Sequence, residues 1–484
     1  MRNASPHYFT RHYFTRHYFT RHYFTRGCLL LLATLIGLAD PARVMAGPEV
    51  SAQISAKNAT RQGPPIEIVT SPAGHTAWLV RDTSLPMVTL KVAWRGGSAS
   101  DPEGQSGLGA LLSDMLTRGA GARAEQNFQQ ALARQAVRMS FEIGRDELTG
   151  SLQCLSAHLD ACFDLFTDAV SRPRFDADAV TRSRQRLLTR MRSNEQSPAY
   201  LARANLLRTS FAGHPYARAV EGTPDDVNNL TPDDLRTHWR RHIAQDNVLI
   251  SAVGNISADA LGKKLDAFLR DLPKRAQLAA IPTAQPVRGP ASHHISRAGP
   301  QTSIAFSAQG VVYDDPMFFA AYVMNYVLGG GGFASILTEE VREKRGLAYS
   351  VYSYLAPYKY GALWMGGLAT KNESAMEAMD VVRDALRSMA RNGVSDARLK
   401  AAKTYLIGAY ALRFDSGVKI ADQLLGIQIN GWPVDYFETR NQHIRNVSKA
   451  DIAAAARRLM QPDGLIISTV GGQSVTMTAP AKRK

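Results

Sequence analysis

Hydrophobic residues along this chain follow two spacings that alternate from segment to segment. Short β-branched or alternating runs predict strands at 76–80, 87–94, 146–153 and 247–253. Longer amphipathic stretches between them predict helices at 104–118, 157–170, 176–193 and 198–210. Strands interspersed with helices of this length predict an α+β fold, with each sheet covered by helices on one face.

The same pattern is written twice. Residues 231–254, with a polar start, a helix and a β-branched strand, recur as residues 448–471 at an offset of 217. An earlier strand followed by Asp-Pro also recurs, at 88–102 and 302–316. An internal duplication therefore predicts two homologous domains, and the segment between them contains four prolines and little periodicity. The predicted boundaries are 47–272 for the first domain, 273–290 for an exposed linker, 291–475 for the second domain and 476–484 for a tail.

The first 46 residues have the organisation of a secretory signal peptide. His-Tyr-Phe-Thr-Arg is repeated four times over residues 7–26, and an apolar run of twelve residues follows before small residues at a cleavage site after Ala46. Twelve residues are too few to span a bilayer, and no later segment approaches 18 uninterrupted apolar residues. The sequence predicts residues 1–46 to be removed on export, a periplasmic location and no membrane span.

Composition and charge exclude some functions. Hydrophobic residues make up 45% of the chain and charged residues 20%, as in globular proteins. The net charge is +15, but the basic residues are scattered along predicted helices without a nucleic-acid signature, so we predict no nucleic-acid partner. Cys154 and Cys162 are the only cysteines after residue 46, and a disulfide and two buried free thiols both remain open.

Several separate motifs occur in an order that resembles the pitrilysin/insulinase family of zinc peptidases, over roughly residues 65–475. The motifs that carry the resemblance are Gly96-Gly-Ser98, Asp101-Pro-Glu-Gly104, His214-Pro-Tyr216, the glycine-rich run 328–337 and the segment 341–349. The resemblance implies a two-domain fold of this kind. It also implies an inverted zinc motif, H-x-x-E-H, within the first predicted helix.

The residues that match this zinc motif cannot form the family's metal site. In active members two His one helical turn apart hold zinc, the Glu activates a water, and a carboxylate further along the chain completes the site. The matching positions here are Ala110, Ser113 and Asp114, and the downstream position falls near Arg190, in a stretch from 183 to 194 without any acid. We therefore predict no metal, no cofactor and no catalytic residues of the chain's own.

The remaining histidines offer no replacement ligand set. His238 and His242 have a spacing suited to zinc, but two arginines stand between them and no third ligand lies in that helix. We expect a solvated pair or a helix-capping pair. His293 and His294 are adjacent and would face opposite sides of a strand, so we interpret them as non-ligands. His158 and His214 are interpreted as structural.

The second half retains residues that the resemblance associates with substrate. Arg342 and Tyr349 have the spacing and context of an Arg and a Tyr that, in the family, bind the substrate backbone near the scissile carbonyl. The alternative is a surface ion pair of Arg342 with Glu339 or Glu343 and a core tyrosine. The preceding loop, Gly329, Gly330, Gly331 and Gly332, lacks the Lys-Ser/Thr of a phosphate-binding loop, and is predicted to be a flexible gate or a close-packed turn.

Some members of the family divide the work between an active and an inactive subunit. The resemblance therefore predicts a non-catalytic subunit that binds peptide substrates by strand addition, and that completes the active site of a homologous zinc-bearing partner in a heterodimer. On its own the chain is predicted to be inactive. Two alternatives stay open at this point, which are a purely structural, scaffolding relative and an independently active hydrolase with a different site.

Overall fold

The computed structural model describes residues 63–472. The predicted signal peptide, residues 1–46, and the predicted tail, residues 476–484, lie outside the described residues. No helix within 63–472 is long and apolar enough to cross a membrane.

The first half contains a mixed six-stranded sheet in the order β1-β2-β8-β3-β7-β6. Its strands and a small two-stranded ribbon, β4 and β5, are β1 Glu67–Thr70, β2 Thr76–Arg81, β3 Met87–Arg95, β4 Gly119–Ala120, β5 Arg123–Ala124, β6 Arg138–Ile143, β7 Glu147–Leu155 and β8 Val248–Gly254. Its helices are α1 Leu108–Met115, α2 Glu125–Arg134, α3 Leu159–Ser171, α4 Ala177–Glu195, α5 Pro198–Ser210, α6 Pro224–Asn229, α7 Pro232–His242 and α8 Ala258–Leu269.

The second half contains a five-stranded sheet in the order β11-β12-β10-β13-β9. Its strands are β9 Ala291–Ser296, β10 Gln301–Gln309, β11 Ala348–Tyr358, β12 Gly361–Lys371 and β13 Ile466–Gly471. Its α-helices are α9 Phe318–Asn325, α10 Ala375–Asn392, α11 Asp396–Gly408, α12 Gly417–Ile429, α13 Tyr436–Asn446 and α14 Lys449–Leu459. Two π-helical turns, Tyr326–Gly330 and Thr338–Glu343, lie between α9 and β11.

The two sheets have the same topology, which confirms the α+β fold with two homologous domains. In spatial order, the strands β9, β13, β10, β12 and β11 of the second sheet correspond to β2, β8, β3, β7 and β6 of the first. In both sheets one pair is parallel, β2 with β8 and β9 with β13, while the other neighbours are antiparallel. The repeated motif also has the same local structure. Thr231 with Asp234 and Ser448 with Asp451 both form capping boxes, which fix the first turns of α7 and α14.

Each half contributes one helix that packs on the sheet of the other half. Helix α5 of the first half packs on β10 and β13, and helix α12 of the second half packs on β3 and β8. Polar contacts fix both helices: Asn205 donates to Ser468 at 3.1 Å, and Ser251 donates to the carbonyl of Ala421 at 2.9 Å. The duplicated helices have thus exchanged places.

The exchange explains why the central strands are buried on both faces. Leu79 of β2 belongs to the core of the first half, whereas its neighbour Val80 packs with Leu424 of α12. In β10, Ile304 belongs to the core of the second half, whereas Ala305 packs with Leu206 of α5. Because successive side chains of a strand point to opposite faces, each sheet has its own helices on one face and a borrowed helix on the other.

The segment predicted as a linker, 273–290, has no helix or strand and is mostly exposed. It is nevertheless bonded to both halves. The backbone N–H of Gln277 donates to the carbonyl of Arg241 in the first half at 2.8 Å, and that of Ala284 donates to Tyr360 in the second half at 2.5 Å. This strap therefore follows the surface as an ordered connection.

Candidate functional site

Helix α1 presents the three residues that replace the zinc motif. Ala110 and Ser113 are buried, and the Ser113 hydroxyl donates to the carbonyl of Ala110 at 2.9 Å. This local bond uses the one polar group at the position where the family's general base would stand. Neither side chain is a metal ligand of the family's kind.

Asp114 is already neutralised by its neighbours. Its carboxylate accepts from Arg118 at 2.9 Å, from Ser183 at 2.6 Å and from Arg186 at 2.8 Å. Burial alone would raise the pKa of this carboxyl, but the hydrogen bonds from Arg118, Ser183 and Arg186 outweigh burial and lower the pKa to about 2. The guanidinium groups of Arg118 and Arg186 therefore already balance the negative charge of Asp114 that a metal cation would need.

Helix α4 supplies no ligand in place of the missing downstream acid. Ser183 and Arg186 are the α4 residues that contact Asp114, and Arg190 lies seven residues beyond Ser183 on the same side of the helix. Arg190 itself is exposed. Within 63–472 no group of three or more His, Cys, Asp or Glu side chains could hold a metal ion. The donor set does not fit the zinc site of the family, so no step of chemistry is assigned to a metal in this chain.

Arg342 and Tyr349 lie side by side on an open surface of the second half. The Arg342 guanidinium carbon is 4.7 Å from the ring centroid of Tyr349 and also 4.7 Å from that of Phe333. The guanidinium is thus stacked between two aromatic rings, a contact that holds its plane and leaves its N–H edge available. Tyr349 is 82% exposed and Phe333 is 73% exposed. Sequence reasoning did not single out Phe333, although it directly follows the glycine-rich loop.

A β-bulge aims Tyr349 outward. The pairing of edge strand β11 with β12 shifts register between Ala348 and Val351, so Tyr349 lies in the irregular step. Bulges of this kind re-aim a side chain and often stand beside functional sites. Tyr349 is therefore not the core tyrosine of the alternative interpretation.

The ion pairs around Arg342 form a separate network. Glu339 pairs with Lys344 at 2.9 Å and with Arg398 at 2.5 Å. Arg342 keeps one contact with a carboxylate, in which its Nε is 3.4 Å from Glu343. An exposed pair of this kind contributes little to stability. The position of Arg342 is therefore set by the aromatic rings more than by an ion pair.

The glycine-rich loop has two parts with different roles. Gly329 is buried, and a Cβ atom there would lie 2.3 Å from Ser353 Oγ, so only glycine allows this close approach. Gly332 has φ +58 and open space around it. The loop is thus a close-packed turn at its start and an unrestricted turn at its end, directly before Phe333.

The solvated pair is wrong, because both His238 and His242 are buried, whereas His242 does bond the carbonyl of His238 at 2.9 Å in the last turn of α7. Their rings stack with centroids 3.8 Å apart, and His238 Nε2 lies 3.7 Å from Asp101 Oδ1. Burial lowers the pKa of both imidazoles, so both are neutral. Asp101 accepts from the backbone N–H groups of Gly107 and Gly109, each at 2.9 Å, at the start of α1. Burial nevertheless raises the pKa of Asp101 to about 7.

Two further expectations concern His214 and the two cysteines. His214 is structural as predicted, since its Nε2 donates to the carbonyl of Pro282 at 2.9 Å and its Nδ1 accepts from the backbone of Tyr216 at 3.1 Å. Cys154 and Cys162 are buried free thiols. Whether they pair on oxidation stays a prediction.

Comparison with known proteins agrees with this geometry. A family profile described as "Insulinase (Peptidase family M16)" matches residues 77–224, and one described as "Peptidase M16 inactive domain" matches residues 229–406. The crystal structure of a peptidase M16 inactive domain from Pseudomonas fluorescens superimposes with a TM-score of 0.79 at 28% identity, covering 84% of this chain and 98% of that one.

Two sequence relatives match most of the chain. The Helicobacter pylori protein named "Non-peptidase homolog YmxG" is 25% identical over 369 residues, which are 76% of this chain and 85% of the relative. A probable mitochondrial-processing peptidase subunit beta from Schizosaccharomyces pombe is 23% identical over 431 residues, 85% of this chain and 93% of that protein. The chain therefore belongs to the insulinase family, peptidase family M16, as an inactive homologue that lacks the family's zinc motif.

Proposed function

We propose that this protein is the non-catalytic subunit of a two-subunit peptidase. It would pair with a homologous zinc-bearing subunit, contribute to binding of the peptide substrate, and bring Arg342 and Tyr349 to the partner's active site. One observation carries the proposal. At the position of the family's zinc motif, Asp114 is bonded to Arg118 and Arg186. In the second half, by contrast, Arg342 lies stacked between two exposed aromatic rings.

The chemistry of the pair suits a peptide carbonyl. Stacking on Phe333 and Tyr349 restricts the guanidinium of Arg342, so less side-chain entropy is lost when its N–H groups bind a carbonyl oxygen. The Tyr349 hydroxyl can donate to the same oxygen as negative charge develops on it. Strand β11, which carries Tyr349, is a sheet edge, so an extended peptide has unpaired backbone groups to bond with nearby.

The names of relatives support a subunit without its own catalysis. One solved relative is titled an inactive domain, one sequence relative is named a non-peptidase homologue, and one is named as a subunit of a processing peptidase. We further propose export to the periplasm, because residues 1–46 have the composition of a signal peptide. Amino-terminal sequencing of the native protein tests this part, with Gly47 as the expected first residue.

The test of the subunit role begins with purification from the native host and identification of the co-purifying H-x-x-E-H protein. The reconstituted pair should hydrolyse peptides, and the chain alone should not. Arg342→Ala or Tyr349→Phe should lower the turnover number about ten- to a thousandfold, where about a hundred- to a thousandfold corresponds to loss of one oxyanion donor.

Matched controls come from the same half of the chain. Arg345→Ala removes an exposed guanidinium that pairs with Glu340, and Tyr405→Phe removes an exposed hydroxyl elsewhere. Both should leave turnover within about twofold, the scale of exposed-residue effects. All four variants should still form the complex, which is checked by size-exclusion chromatography. Unchanged turnover in both test variants would leave only the scaffolding alternative.

A further inference from the structure

Strand β11 carries a row of tyrosines on the face that it shares with the borrowed helix α5. Side chains alternate between the two faces of a strand, so Tyr352, Tyr354 and Tyr358 lie on one face. Tyr354 and Tyr358 pack in the same apolar cluster as Ala202 and Leu206 of α5, which identifies that face. The rings of Tyr352 and Tyr354 are stacked, with centroids 6.1 Å apart and planes at 18°. These three tyrosines, the tyrosine row, form an aromatic surface between α5 and the edge of the sheet.

The edge beside the tyrosine row is open for pairing. Strand β11 is the last strand of its sheet, so its outer backbone groups have no strand partner within residues 63–472. On the inner side Tyr352 pairs with Gly367 of β12, and a Cβ atom at Gly367 would lie 3.0 Å from the Tyr352 hydroxyl. The Tyr352 side chain therefore extends inward over β12 and does not cover the outer edge of β11.

Two arginines of the first half lie against the tyrosine row. The guanidinium carbon of Arg145 is 5.7 Å from the ring centroid of Tyr358, and its N–H groups donate to two backbone carbonyls at 3.4 Å. Arg203 belongs to α5 and is exposed. Tyr354, followed by Tyr358 and Tyr352, raises the pKa of Arg203 more than desolvation lowers it. Arg203 is thus close to all three rings and is still accessible to a ligand.

The two arginines differ in how their charge is balanced. Two carboxylates act in the surroundings of Arg145, and both are already bonded. Asp146 accepts from a tyrosine hydroxyl and a backbone N–H, and Glu221 accepts from a second tyrosine hydroxyl. Arg203 has tyrosine side chains around it instead. The positive charge of Arg203 is therefore the one available to an anionic group that reaches the tyrosine row.

A peptide that pairs with β11 places every second side chain on the face of the tyrosine row, because directly opposite residues of paired strands share a face. We propose that this chain preferentially binds extended peptides with an aspartate or glutamate at such a position, whose carboxylate bonds to the guanidinium of Arg203. A single-stranded nucleic acid could also stack on tyrosines, but it has no backbone groups that complete a sheet edge. The inference rests on the proposed function, in which β11 binds substrate, and it defines the substrate class as acidic peptides.

The test uses the full purified chain without a partner, so its result does not depend on turnover. The probes are acetyl-(Val-Glu)3-Val-amide and the same peptide with glutamine in place of glutamate, titrated by calorimetry. The glutamate peptide should bind at least about tenfold more tightly, the scale of one hydrogen bond to a charged group. A glutamine peptide with a free C-terminal carboxylate separates the two sources of a carboxylate, and it should bind like its amide.

One variant assigns the preference to the tyrosine row. Arg203→Gln should reduce the ratio of the two affinities below about threefold, the scale left by other exposed charges, and should leave binding of the glutamine peptide unchanged. Arg208→Gln is the matched control, because Arg208 is also exposed on α5 but lies on a different side of this helix. The control should keep the full preference. Thermal unfolding checks that both variants are folded.

Four results would overturn the proposal. Equal binding of the glutamate and glutamine peptides would remove the acidic preference and leave peptide binding intact. A preference that persists in folded Arg203→Gln, or one shown only by the free C-terminus, would assign the carboxylate to another position. No binding of either peptide up to about 10 mM, or tighter binding of an oligothymidylate, would show that β11 is not a peptide edge. The turnover of the reconstituted pair with Arg342→Ala tests the proposed function separately.

Discussion

Lys91 of strand β3 and Asp422 of the borrowed helix α12 form an ion pair of 2.8 Å that joins the two halves of the chain. The side chain of Lys91 is 5% exposed and that of Asp422 is 18% exposed. The pair thus lies where the exchanged helix meets the first sheet, and the charge of Lys91 has little access to water.

We predict that removing one partner of this pair costs much more than removing both. Asp422→Asn takes the carboxylate from a buried ammonium and should lower the free energy of unfolding by about 3–5 kcal/mol. The double variant Lys91→Met with Asp422→Leu should recover most of that loss. Urea unfolding measures both. Lys263→Met is the control, because its pair with Asp259 is exposed and should be worth about 0.5 kcal/mol.

The exchanged helices also predict that the two halves unfold together. Leu424 of α12 is fully buried against the first sheet, so Leu424→Ala should destabilise the protein by about 2–5 kcal/mol. Cys154 and Cys162 are buried in the first half and report its opening by thiol labelling. In the Leu424→Ala variant, labelling and circular dichroism should shift to lower urea by the same amount. Two separated transitions would contradict this prediction.

Asp101 predicts a pH dependence of stability. Burial raises its pKa from 3.8 to about 7, so the folded protein holds a proton that the unfolded chain releases near pH 4. Stability from this group is therefore complete below about pH 4 and is lost as pH rises to about 7, by up to about 4 kcal/mol. Urea unfolding between pH 4 and 8 should show a smaller decline in Asp101→Asn than in the wild type. An equal decline in both would assign the effect to other buried carboxyl groups.

The altered zinc motif predicts that zinc binding returns in steps as the family's ligands are restored. The purified chain should hold no stoichiometric zinc. Ala110→His, Ser113→Glu and Asp114→His together should bind zinc weakly, because the fourth group is still missing and Arg186 remains close. Adding Arg190→Glu should strengthen binding at least tenfold, measured by competition with a chelator. Gln185→Glu on an exposed position of the same helix is the control. A full-affinity site without the fourth change would contradict the placement of that group.

Local structure was predictable because it depends on neighbouring residues. The predicted strand at 87–94 is observed as Met87–Arg95, and the predicted helix at 176–193 is observed as Ala177–Glu195. The helix exchange was not predictable. The apolar face of α5 shows that this helix packs on a sheet, but nothing within 198–210 specifies that the sheet belongs to the other half.

The prediction of a solvated histidine pair was wrong for a related reason. The spacing of His238 and His242 identifies one helix face, yet that face packs beside Asp101 and Gly96, which are far away in sequence. The motif singled out Arg342 and Tyr349, which lie side by side, and their role in substrate binding stays a prediction. The ring of Phe333 beside Arg342 was not predictable, because that contact depends on the conformation of the glycine-rich turn.

The exchange of α5 and α12 also constrains how this chain can be made. Strand β8 completes the first sheet at Gly254, but the helix that covers its second face begins only at Gly417. At about 5–20 residues per second, a ribosome needs roughly ten to thirty seconds to cross that interval. During this time an apolar sheet face that includes Val80 and Val253 has no cover, so neither half can mature as an independent unit during synthesis. A chaperone that shields this face until α12 emerges would prevent the nascent chain from associating with itself.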